Sequence, residues 1–298
     1  SKLRDEIRLL KKFMKGNNLY GAHAAAEGFS GYLCELLAIK YGSFANVLKA
    51  AKEWSKHEHI SFSKSRAKKK FKDAPLVFID PVDEKRNVAA AVSVEKMASF
   101  IYLSEAFLDD PREDFFHSTE KGPMSKKEFY GKIKQRGTEL ICIYFKVSKL
   151  VEDTLVPQLS KSLRTVANDC ERAGFRVMKK GYWTDGDEAA FLLEFEVWEL
   201  PRVYKKTGPF FDSKVADLRG FIQSNKGIAM SKPYLEGDQW AIDVERPFRH
   251  ADDKLKDYLK EPKGFGKNLR EIKDFDIKIN AEIQDIKNTD FWKYMSIF

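Results

Sequence analysis

An α+β fold, with helices first and an antiparallel sheet after them, follows from three features of this sequence. Apolar residues recur at helical spacing through residues 1–112. Residues 138–200 then run strand, helix, strand, strand. The composition, 43% hydrophobic and 33% charged over 298 residues, is that of a folded chain long enough for two or three cores.

The elements follow in order. LRDEIRLLKKFM places Leu3, Ile7, Leu10 and Met14 on one helix face, with Lys11 beside that stripe. Gly16 and Asn17-Asn18 end the helix. SGYLCELLAIKYGSF predicts a second helix, N-capped by Ser30, with Leu33, Leu36, Leu37 and Tyr41 inward. A third is capped by Ser43. Residues 55–74 read as a basic excursion with little apolar content, and PLVFIDP as a short buried strand. Residues 93–109 form a helix capped by Ser93. TELICIYFKV (138–147) is rich in β-formers, a helix ending at Gly174 follows, and two strands flank a turn at Asp185-Gly186-Asp187. This β-α-β-β order suggests a ferredoxin-like sheet backed by helices. Residues 209–262 read as two helices around a hairpin, PYLEGDQWAIDVERP.

Composition narrows the classes of function. No apolar run approaches the roughly 20 residues that span a bilayer, and the N-terminal stretch lacks a signal-peptide core. Cys34, Cys142 and Cys170 are scattered, which argues for a reducing compartment, the cytoplasm, and against a disulfide framework. The net charge of +8 is an electrostatic footprint for a polyanion; the alternative is that of the many basic proteins that bind nothing specific.

Few constellations point to catalysis. GFSGY (28–32) has Tyr32 where a nucleophile elbow needs glycine. His57 and His59 lack further metal-ligand spacing. The pairs Asp185/Asp187 and Asp274/Asp276 are better explained by turn chemistry and a strand start than by a two-metal site. VFIDPVDEKRNVAAAVS (77–93) fits two readings. Asp80, Asp83 and Glu84 are metal-binding carboxylates, or they shape the start of a helix whose working group is Arg86. The second is preferred because no further carboxylate completes a metal set. The Arg86 fork and the Asn87 amide suit a phosphate or a base edge; the alternative for Arg86 is an ion pair with Asp83 or Glu84.

RLLKKFMKGNNLYG (8–21), GFSGYLCELLAIKYGSF (28–44) and DPVDEKRNVAA (80–90) resemble three blocks of the archaeal-type (class I) CCA-adding enzymes, the tRNA nucleotidyltransferases, in that family's order and approximate spacing. RVYKKTGPFF (202–211) resembles a segment of the family's RNA-binding body. The resemblance implies a helical neck at 1–112, an α/β body at 113–208 that resumes at 263–298, and an inserted tail at 209–262. It implies that Lys11 and Tyr20 contact incoming ATP or CTP, with Arg86 beside the pocket. It further implies a basic surface that grips the acceptor and T arms of tRNA, for which Lys179, Lys180, Arg202, Lys205 and Lys206 are the candidates; the alternative for these side chains is a solvated charged face. Magnesium and its carboxylates belong to the family's catalytic head, whose motifs have no counterpart here. The expected function is therefore the neck, body and tail part of template-independent 3′-CCA addition, inactive alone and completed by a head that is either a separate polypeptide or a part of the protein outside this sequence. The alternative is a non-catalytic descendant that binds tRNA or another structured RNA. One departure stands out: Glu27 occupies the position before GFSG where the family usually has a basic residue.

Overall fold

The computed structural model describes residues 2–22, 27–63, 71–117, 122–147 and 150–298. Most of the basic stretch near 64–72 lies outside them. Two compact units emerge, residues 1–121 with 152–156, and residues 122–151 with 157–298.

The first unit contains α1 (Lys2–Gly16), α2 (Gly31–Tyr41), α3 (Phe44–Ala51), β1 (Glu58–Ile60), β2 (Leu76–Phe78) and α4 (Val94–Asp109). The three predicted serine caps form. Ser30 Oγ accepts from Leu33 N at 3.0 Å, Ser43 Oγ from Asn46 N at 3.2 Å and Ser93 Oγ from Lys96 N at 3.2 Å. Each satisfies an otherwise orphaned helix donor, worth about 1 kcal/mol. The predicted stripe on α1 is partly right. Leu10 and Met14 are buried and Ile7 half-buried, but Leu3 is exposed and Phe13 takes the central core place. The Phe13 ring meets Phe44, Phe100, Phe107, Phe115 and Phe116 at centroid distances of 5.4–6.4 Å. Phe115 and Phe116 come from a 3-10 turn at Glu113–Phe116, so this core runs past residue 112.

Two local readings need correction. Within the stretch read as an excursion, Glu58–Ile60 forms a strand that pairs in parallel with Leu76–Phe78. Asp83 and Glu84 open no helix either. Arg86 N donates to Asp83 O (2.9 Å) and Lys85 N to Asp83 Oδ1 (2.9 Å), which closes a turn, and the next helix waits until Val94.

The second unit holds α5 (Lys126–Arg136), β3 (Glu139–Lys146), most of α6 (Glu152–Arg172), β4 (Arg176–Thr184), β5 (Glu188–Val197), β6 (Val203–Phe210), α7 (Val215–Asn225), β7 (Tyr234–Glu236), β8 (Gln239–Glu245), α8 (Ala251–Lys260), β9 (Asp276–Ile279) and α9 (Thr289–Met295). Its main sheet has the order β4-β5-β3-β9, with every neighbouring pair antiparallel. Strand β5 sits between β3 and β4, so β3–α6–β4 is a split β-α-β unit, and the α+β expectation holds. Asp185 Oδ1 accepts from Asp187 N (3.1 Å) and Glu188 N (2.8 Å), the turn that joins β4 to β5.

A second sheet, β6-β8-β7, is antiparallel. Strand β6 crosses the expected body–tail boundary at 208 and pairs with the hairpin beyond it, Val203 opposite Glu245. Pro209 is accommodated because it falls at the irregularity between Thr207 and Phe210, where no ladder donor is required.

Candidate functional site

Lys11 and Tyr20, two of the four predicted nucleotide-site residues, meet at the first turn of α2. Ser30 uses its hydroxyl on Leu33 N, so the N–H groups of Gly31 and Tyr32 have no intrahelical acceptor, and the positive end of the helix dipole lies there. Gly31 permits a close approach. A Cβ at this position would lie 2.8 Å from Tyr20 Oη and 3.6 Å from Lys11 Nζ. The Tyr20 hydroxyl and the Lys11 ammonium therefore flank the same turn.

Both are held from outside that turn. The segment of Tyr20 runs beside that of Phe29 as an isolated parallel bridge, with Gly21 N donating to Phe29 O (2.9 Å) and Phe29 N to Leu19 O (2.8 Å). Lys15 Nζ lies 4.9 Å from the Tyr20 ring centroid. Lys11 Nζ donates to Glu35 Oε1, one turn further along α2, at 2.7 Å. That bond, against some desolvation, raises the Lys11 pKa, so the ammonium stays charged.

Arg86 reaches the same turn of α2 through two intermediaries. Tyr32 Oη donates to Asp80 Oδ1 at 3.2 Å, and Arg86 Nη1 lies 3.4 Å from Asp80 Oδ2. The pair is with Asp80, not with Asp83 or Glu84. Asp80 is buried, and the N–H of Val82 (2.9 Å), against partial desolvation, and the Tyr32 hydroxyl hold its carboxyl below the ordinary range. Burial and the Asp80 bond raise the Tyr32 pKa, so its hydroxyl keeps its proton. The Arg86 side chain is 62% exposed, and its one long contact leaves most of the guanidinium open to a ligand.

Asn87 corrects the reading of its amide as a ligand group. The residue is buried. Its Oδ1 accepts from Phe78 N (2.9 Å) and Ala89 N (3.0 Å), while its Nδ2 donates to Leu76 O (3.1 Å). These bonds tie the turn that carries Arg86 to β2 and commit the Asn87 amide to three backbone groups.

The basic candidates of the second unit are not one surface. Lys179 and Lys180 are neighbours on β4, and Lys205 and Lys206 on β6, so each pair splits across two sheet faces. Lys179 Nζ donates to Phe298 O at 2.8 Å and lies over the Phe298 ring. Arg202 pairs with Glu245 at 2.8 Å, Lys205 pairs with Glu236, and Lys206 Nζ donates to Asn225 Oδ1 on α7 at 2.8 Å. Lys180 is exposed and makes no ion pair among the described residues.

A family model described as the second domain of tRNA nucleotidyltransferase matches residues 5–117, and one described as the C-terminal domain of the CCA-adding enzyme matches residues 136–280. The chain belongs to the CCA-adding enzyme family. It is 36% identical over 269 residues to the CCA-adding enzyme of Methanoregula boonei, covering 90% of this chain and 58% of that protein. It is 34% identical to that of Methanothermobacter thermautotrophicus (99% and 64% covered) and 31% identical to that of Archaeoglobus fulgidus (90% and 61% covered). The chain thus spans about three-fifths of the length of these relatives.

The carboxylates present do not fit the divalent metal that a CCA-adding enzyme implies. Among the described residues no three His, Cys, Asp or Glu side chains gather where they would hold a metal ion. Asp80 and Asp83 are spent on backbone N–H groups, and Asp185 on its turn. No catalytic step is assigned to these acids.

Sequence reading missed Tyr32, Glu35 and Gly31. Spacing carried a signal for one of them: Glu35 lies a helical turn from Gly31, on the side that faces Lys11.

Proposed function

We propose that the first unit orients the incoming nucleotide of a template-independent tRNA nucleotidyltransferase, while the second unit, body and tail together, holds the acceptor and T arms of tRNA. One observation carries this reading. Lys11 and Tyr20 flank the first turn of α2, and Arg86 is tethered to that turn through Asp80 and Tyr32. A helix N-terminus with free N–H groups, an ammonium, a phenol hydroxyl and an open guanidinium is a set of donors suited to the triphosphate of ATP or CTP. Glu35 keeps Lys11 in place and charged until the phosphate arrives. Arg86, loosely paired, swings between Asp80 and the ligand. The transfer chemistry, with its magnesium, is assigned to a catalytic head outside these 298 residues.

The test is calorimetric titration of the chain with CTP and with ATP, run beside binding of a tRNA acceptor/T-arm minihelix that lacks CCA. Arg86→Ala and Lys11→Ala are each expected to weaken nucleotide at least tenfold, since a charge-assisted hydrogen bond contributes about 1.5–3 kcal/mol. Minihelix affinity is expected to stay within twofold. Equal loss of both ligands would mean that Arg86 and Lys11 are structural. Incorporation of labelled CTP into the minihelix by this chain alone would remove the assignment of chemistry to a head.

A further inference from the structure

A basic pocket follows the C-terminal end of α8 in the second unit, and none of its lining residues has been assigned so far. It has a volume of about 540 Å³. Leu259, Pro262 and Ile272 line it together with one acid, Glu261, and four cations, Lys260, Lys263, Arg270 and Lys273; Lys260 pairs with Asp257 at 3.3 Å. Over residues 260–273 the chain carries five Lys or Arg against two Glu.

The loop that presents these cations is pinned. Phe265 is fully buried against Phe191 and Phe275, at ring separations of 5.8 and 5.9 Å. Gly266 N donates to Ser162 Oγ (3.0 Å), Asn268 N to Gln158 Oε1 (2.9 Å), and Gln158 Nε2 back to Asn268 Oδ1 (2.8 Å). Two glycines allow this contact with α6. A Cβ on Gly266 would lie 2.5 Å from Gln158 Cβ, and one on Gly264 would collide with Thr165. Ordering a loop costs conformational entropy; here the side chains of α6 and a buried ring offset it, so the cations need no rearrangement before a ligand arrives.

Those cations are weakly committed within the protein. Arg270 donates through Nε to Phe265 O at 2.8 Å, which leaves both terminal nitrogens without a hydrogen-bond acceptor among the described residues. Lys263 meets Glu261 at 3.0 Å, yet the two side chains are 80% and 76% exposed, so solvent screens the pair. Lys273 is exposed and has no ion pair among the described residues.

We propose that this pocket seats the sugar–phosphate backbone of a structured RNA. The inference rests on the reading that the second unit grips RNA, and adds a site outside the β4 and β6 positions. Cations grouped with a half-buried Ile272 fit a phosphodiester chain, whose ribose carbons pack on Ile272 while successive phosphates meet Arg270 and the lysines. An isolated phosphate would use neither the apolar surface nor the spacing. Contacts of this kind position the RNA without reading its sequence.

The test uses the full chain and fluorescence anisotropy with the CCA-less minihelix and an anticodon hairpin of equal length, between 50 and 300 mM salt as the working range. The variants are K263A/K273A, R270Q, and a control, K127A/K134A, on the exposed face of α5. Loss of two phosphate contacts is expected to weaken minihelix binding about tenfold or more near 0.1 M salt and to reduce the slope of log Kd against log salt by about 1.4–1.8. R270Q is expected to act in the same direction. K263A/K273A leaves the Arg270–Phe265 bond in place, so it reports on the pocket even if R270Q unfolds. An unchanged slope in K263A/K273A, or the same change in the control, overturns the site. So does weaker binding to phosphatidylserine vesicles with RNA binding untouched. Equal binding of minihelix and hairpin by the unaltered chain counts against tRNA-shape recognition alone; a drop on both RNAs in K263A/K273A then still supports a backbone site.

Discussion

Replacing Asn87 by alanine separates a residue that builds the site from one that touches the ligand. Its amide satisfies three backbone groups, Phe78 N, Ala89 N and Leu76 O. Leu76 and Phe78 are fully buried and Ala89 is 1% exposed, so bulk water cannot replace the amide. A buried donor or acceptor left unpaired costs about 1–3 kcal/mol. One water admitted to the space of the lost side chain can serve one or two of the three groups, so the expected loss is about 1–6 kcal/mol, a large part of the ~5–15 kcal/mol that stabilises a domain. The assay is urea unfolding at pH 7 followed by circular dichroism, with amide exchange read over residues 76–89. The midpoint is expected to fall with the slope unchanged, and the Phe78 and Ala89 amides are expected to exchange faster. A loss under about 1 kcal/mol, beside weakened nucleotide binding, would refute the scaffold role and restore Asn87 as a ligand contact.

Three further outcomes are expected. Gly31→Ala places a methyl group 2.8 Å from Tyr20 Oη, which must shift, and in ordinary contact with Lys11 Nζ at 3.6 Å, while alanine favours a helix over glycine by roughly 0.5–1 kcal/mol; the melting temperature should hold or rise as CTP affinity falls, and unchanged affinity by calorimetry would count against the site. Folded-state pKa values are depressed for Asp80, through the Val82 N–H and Tyr32, and for Glu194, which is buried but held down by Arg136 and Thr138. Their stabilisation is present above the unfolded carboxylate range near 4 and lost as pH falls through the lower folded values, so urea midpoints measured from pH 7 to 3 should stay level to about 5 and drop below about 4, less steeply in Asp80→Asn. Gly266→Ala should destabilise by about 1–3 kcal/mol, because its Cβ would overlap the packed Gln158 side chain; a melting curve like that of the unaltered chain would show that the loop is not pinned as described.

Much of the fold was legible because its determinants are local. Serine caps before apolar runs announced α2, α3 and α4. The Asp-Gly-Asp turn announced the β4–β5 hairpin. Strand β1 was not legible. It has three residues, and its only strand partner begins sixteen residues later, so nothing within its own window distinguishes it from a loop. The reading of Asp83 and Glu84 as a first helical turn failed for a related reason: acids after a proline serve a turn and a helix start equally, and the Ile79–Asn87 bridge decides between them.

The sequence by itself determined the family, the helix-then-sheet order and the identity of Lys11, Tyr20 and Arg86 as residues to watch, because motif and spacing are properties of the chain as written. Only the tertiary structure decided what each polar group is free to do. Arg86 and Asn87 are adjacent and looked alike as donors, yet one is open and the other has its amide bonded to three backbone groups. Lys205 and Lys206 looked like one basic patch, yet they lie on opposite faces of a strand. Hydrogen-bond capacity is finite and directional, and which partners exhaust it depends on segments that meet only when the chain has folded.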